Sequence, residues 1–121
     1  MKRTILILAL LTTAAAMGQS LQDQRACYVQ AHKVASKGAH VTNHFDARTK
    51  TCWVREFSNT NGAIDVSVYN AFEPNISEAE FAGNTSGPNQ PSLQAVICFV
   101  HETKCSNKLD FDRLAKQRYG F

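Results

Sequence analysis

Four cysteines and four histidines carry most of the reactive chemistry in this chain: Cys27, Cys52, Cys98 and Cys105, with His32, His40, His44 and His101. All are competent zinc ligands. However, no C-x-x-C pair is present, and structural zinc sites draw their ligands from tight pairs of that kind, so no metal site is expected. The thiols read instead as bridge partners, with three pairings open in principle. A hairpin turning near His101 and Glu102 would set Cys98 directly opposite Cys105, at a cross-strand distance a disulfide spans. That favours Cys98 with Cys105 and leaves Cys27 with Cys52. On the loop-entropy model the two bridges contribute about 2.5 and about 3.5 kcal/mol, the larger value belonging to the longer loop.

The histidines also suggest proton transfer. His44, Glu73 and His101, with Glu102 nearby in sequence, are the residue types of a general acid–base pair in a small secreted hydrolase. Neither Ser67 nor Ser77 has the flanking glycines of a nucleophile elbow. His40 and His44 would share one strand face about 13 Å apart at about 3.3 Å per residue, too far to hold one ion together. A rival chemistry is adhesion: Trp53, Phe57 and Tyr69, with Phe72 and His44, are spaced to leave an aromatic patch on one sheet face. The favoured function is therefore a small binding or interaction module whose partner is a protein or envelope ligand. The alternative is a hydrolase using a histidine and a carboxylate. No cofactor is implied.

These side chains need elements to position them. The first 18 residues read as an export signal: Lys2 and Arg3, an apolar run from Ile5 to Leu11, and small residues ending at Gly18. Such a run is shorter than the roughly 20 residues a spanning helix needs, so the chain is expected to be released, periplasmic or extracellular, with no membrane anchor after signal removal. Residues 19–121 then form a single disulfide-stapled domain. Without Lys2 and Arg3 the 13 basic residues fall to 11 against 10 acidic ones, and the two signs are interleaved, which argues against nucleic acid as a partner.

Within that domain, Cys27, Ala31, Val34 and Ala35 share a face of a helix over 21–37, stopped by Gly38. Strands follow at 39–46, 51–57, 64–72, 76–82 and 93–101, with a polar loop over 83–92. On the second of these, Cys52 and Val54 alternate with Trp53, Arg55 and Phe57, so both faces carry apolar groups. A closing helix over 109–119 places Phe111, Leu114, Ala115 and Arg118 on one side, with Gly120 as its stop. The expected fold is α+β: helix, antiparallel sheet of four or five strands, helix, with the helices on one sheet face.

Three segments, Asn43 to Val54, Ser67 to Glu73, and Cys105-Ser106 leading to Phe111-Asp112, resemble a group of small exported bacterial proteins without an established function. In that group a His-aromatic-Asn hairpin precedes a cysteine, a Ser-x-x-Asp-Ala-Phe-Glu strand follows, and a cysteine hairpin leads into the last helix. Here Asn70 stands in place of the group's Asp, and Asp46 in place of its Asn. The resemblance implies export and supplies no activity to carry over. The helix-then-sheet order is also loosely similar to cystatin-like inhibitors, but their Gln-x-Val-x-Gly loop is absent, so protease inhibition does not transfer.

Overall fold

The structure, a computed structural model, describes residues 20–84 and 95–121. The signal segment, most of the loop over 83–92 and the start of the strand at Leu93 lie outside the described residues. Helix α1 is described over residues 20–34. Six strands follow: β1 (His40–Asp46), β2 (Thr51–Thr60), β3 (Ala63–Asn70), β4 (Ser77–Asn84), β5 (Ala95–Val100) and β6 (Thr103–Lys104), and then helix α2 (Lys108–Tyr119). The sheet is an antiparallel meander whose spatial order is the chain order. The architecture is α+β, with six strands rather than four or five. The additional strand is the two-residue return of the cysteine hairpin, too short to show a period in sequence.

Local chemistry explains where the strands turn. β2 runs three residues beyond its expected end because the reversal is confined to Asn61-Gly62, both at positive φ (53° and 84°), the backbone of a two-residue hairpin. Between β1 and β2 the Asp46 carboxylate accepts from the backbone N–H groups of Arg48 (2.9 Å) and Thr49 (3.4 Å), and Lys50 closes the turn at φ 55°. β3 stops at Asn70, before the expected Phe72, because Asn70 turns the chain: its side chain accepts from Phe72 N–H and its carbonyl from Glu73 N–H. α2 is capped at both ends, by the Asn107 side chain accepting from Asp110 N–H and by Gly120, whose N–H donates to Lys116 O at 3.0 Å.

The helices pack on opposite faces, not on one. Cys27 and Ala31 of α1 are buried against Cys52, Val54, Tyr69 and Ala71, with Val34, Val41 and Phe45 alongside. Phe111, Ala115 and Tyr119 of α2 are buried against Val66, Val68, Ala79, Phe81 and Val100. Strand alternation makes this unavoidable: Val54 and Val68 point to opposite faces, and both are fully buried, so each face needs its own cover. Each fully buried aromatic, such as Phe81 or Phe111, contributes on the order of 2–3 kcal/mol by leaving water. The buried stripe of α2 is 111–115–119, so Tyr119 is inside and Arg118 faces solvent, a one-residue rotation from the expected face.

Both disulfides form as the hairpin geometry favours. Cys98 and Cys105 sit 5.0 Å apart at Cα across the β5–β6 ladder, which turns at His101 and Glu102. Cys27 and Cys52, 5.3 Å apart at Cα, fasten α1 to β2. No helix among the described residues is long and apolar enough to cross a membrane.

Candidate functional site

The fold sorts the candidate residues by strand parity. Trp53 and Phe57 lie on the α2-side face of β2, with Arg55 between them, and their partners on β1 are His44, His40 and Thr42. Tyr69 belongs to the other face. It is 5% exposed under α1, and its phenol donates a hydrogen bond to the Glu56 carboxylate. Burial, and then the Glu56 charge, push that phenol far above the ordinary tyrosine range. Tyr69 is therefore removed from the aromatic surface that sequence spacing assigned to it. Phe72 is exposed in the β3–β4 turn.

The acid–base candidates are dispersed. His44 stands on edge strand β1, whereas His101 stands at the opposite side of the sheet in the β5–β6 turn. There it is held by Glu78, Nδ1 to Oε2 3.2 Å, and its own N–H donates to Glu78 O. Glu73 lies exposed in the β3–β4 turn, and its N–H donates to Asn70 O. His44 has a packing role: its ring meets Phe121 edge-on at 6.3 Å, and it lies so close to Gly120 that a Cβ there would stand 3.0 Å from Nε2.

What the α2-side face does assemble is a recess. At the C-terminal end of α2 the Tyr119 ring packs on the Trp53 indole, centroids 4.7 Å apart at 60°, and the Arg118 guanidinium lies 6.0 Å from the Tyr119 centroid. Together with Arg48, Thr49, Thr51, Asp46 and Gln117 they line a hollow of about 370 Å³. Asp46 is committed to its turn, where the Thr49 side chain above all, against a smaller opposing effect of burial, holds its carboxyl below the usual range. The cationic walls are therefore Arg48 and Arg118, set beside a half-buried indole. Burial pushes the Tyr119 phenol up, and its hydroxyl donates to Glu78 O at 3.2 Å. Arg48, Arg118 and Tyr119 were not singled out as site residues from sequence. Their only signal there was basic and aromatic character near the ends of two elements that sequence does not bring together.

A second hollow, about 400 Å³, opens on the α1 side where that helix ends, lined by Ser36 to Ala39, Glu56, Ser58, Asn59, Thr60, Asp65 and Ser67. Glu56 accepts from Ser36 N–H (2.9 Å) as well as from Tyr69, tying the helix end to the sheet. Asp65, diagonal to it across the β2–β3 ladder, has its carboxyl pushed up by burial and then by the Glu56 charge. Comparison of the chain with protein-family models, with curated proteins and with solved structures finds no match.

Proposed function

We propose that this chain is an exported binding module that works by holding a ligand or partner, and that the recess at the end of α2 is its contact. The observation that carries the reading is the arrangement of Trp53 on Tyr119 between Arg48 and Arg118. An indole supplies a flat apolar surface, and the two guanidiniums supply forked donors suited to a carboxylate, sulfate or phosphate. The chemistry such a recess recognises is an acidic group flanked by a ring. His44 extends the same face onto β1, and Phe57 extends it along β2. The two disulfides fit an oxidising compartment, in keeping with release after the signal. Catalysis receives less support, because His44, Glu73 and His101 are placed on separate parts of the fold.

Trp53 is the chain's single tryptophan, so its fluorescence reports on the recess directly. Protein recovered from the exported fraction, its N-terminus at Gln19, is titrated with a panel of aromatic carboxylates and acidic glycan fragments. Saturable quenching by one class is expected, weakened about tenfold or more in Arg118→Ala through loss of a charge-assisted hydrogen bond. A flat response across the panel, or equal quenching in wild type and Arg118→Ala, rejects the recess as the contact.

A further inference from the structure

The outer edge of β1 is seven residues long, pairs with β2 without a register shift, and contains none of the prolines, lysines or bulges that keep an edge from pairing. One bond fixes which of its backbone groups face outward. Ala71 N–H donates to Cys52 O at 2.9 Å, so the backbone groups of Cys52 face β3. Its β1 partner, Phe45, is then in a non-hydrogen-bonded pair, with its own N–H and C=O directed away from the sheet. By alternation Val41, Asn43 and Phe45 present donors and acceptors at the edge, while His40, Thr42, His44 and Asp46 spend theirs on β2.

We propose that this edge pairs antiparallel with the same edge of a second copy, about a two-fold axis at Asn43. A two-fold axis normal to the sheet keeps matching faces together, and only the Asn43 register uses the whole strand. Val41 then meets the partner's Phe45, Asn43 meets its own counterpart, and Phe45 meets the partner's Val41, each pair exchanging two backbone bonds. Centring instead on Thr42 or His44 loses one of these pairs and sets histidine against histidine. In the Asn43 register His40 instead faces the partner's Asp46 at both ends of the seam, a complementary pair. The α1 side adds apolar surface: Leu21 and Tyr28, 66% and 56% exposed, stand on the flank of α1 opposite Gln30, which reaches back to Ala71 O. Pairing of this kind does not depend on the recess having a ligand.

The test combines sedimentation with residue-resolved amide exchange on the oxidised, unliganded protein over rising concentration. The expected result is a monomer–dimer equilibrium in which the amides of Val41, Asn43 and Phe45 become protected together, while those of Thr42 and His44 are protected at every concentration. Asn43→Pro removes an outward N–H without touching the β2 ladder and is expected to stay monomeric. His40→Asp, at an exposed position, sets carboxylate against carboxylate at both ends of the seam and is expected to weaken pairing about tenfold. This second variant keeps the test decisive if the proline disturbs folding. A single monomeric species at about 1 mM, with the three amides exchanging freely, overturns the proposal, as does protection in any other register.

Discussion

Gly120 carries two constraints in one residue. Its φ of 85° ends α2 in the left-handed region, and the His44 imidazole occupies the space where a Cβ would go, with Nε2 3.0 Å and Cδ2 3.1 Å from that position. Gly120→Ala is expected to cost about 1–2 kcal/mol from backbone conformation alone, with the His44 contact adding to it. Urea denaturation of a double-mutant cycle with His44→Ala separates the parts: the combined variant should recover the contact component, about 0.5–1 kcal/mol of coupling, and retain the conformational one. Strict additivity would mean that His44 does not press on this turn. Asp65 provides a second test at this scale. Its folded pKa lies above the ordinary 3.8, so the folded chain holds a proton that the unfolded chain has released, and stability falls as pH rises through the window just above 3.8. Asp65→Asn removes that loss. Its unfolding free energy relative to wild type, from urea denaturation, should be higher at pH 7 than at pH 3, by a small margin within about 1 kcal/mol, because the group is largely exposed and screened by water. An offset independent of pH would show that Asp65 is not perturbed by its neighbours.

At the scale of elements, the two bridges do different work. Cys98–Cys105 closes a hairpin already held by a two-residue turn and its ladder, whereas Cys27–Cys52 fastens a helix to the start of β2. Replacing Cys27 and Cys52 by serine should therefore cost about 3.5 kcal/mol against about 2.5 kcal/mol for the Cys98 and Cys105 pair. Denaturation midpoints of the two double variants check the order, and equal losses would contradict it. The same elements mark where sequence reading succeeds. The hairpins were legible because Asn61-Gly62 and the cysteine spacing are local signals, and the stop of α2 because Gly120 ends it, whereas α1 ends at residue 34, short of the expected Lys37 and of Gly38. The side of the sheet each helix chooses was not legible. Val54 and Val68 already demanded cover on both faces, but which helix supplies which cover depends on contacts between distant segments. The phase of α2 was misjudged for a related reason: Tyr119 and Arg118 are adjacent, and only the packing against Trp53 decides which of them turns inward.

For the molecule as a whole, the recess and the β1 edge lie on one continuous surface, joined through His44, which belongs to the edge strand and also touches the end of α2. The recess could not be read from sequence because it joins the β1–β2 turn to the last turn of α2, and nothing in either segment announces the other. The meander order has a kinetic consequence. Every strand pairs with its neighbours in the chain, so a polypeptide emerging N-terminus first can zip its sheet one hairpin at a time, with ten residues at most between successive strands. The α1-side core can be sealed by the time β3 has formed, since its parts all precede residue 72. The opposite core has no such early seal: Val66, Val68 and Phe81 wait for Phe111, Ala115 and Tyr119, on a helix that follows all six strands. A nascent chain stalled before α2 is thus a half-lidded sheet with a bare apolar side, which the twelve residues of α2 then cover.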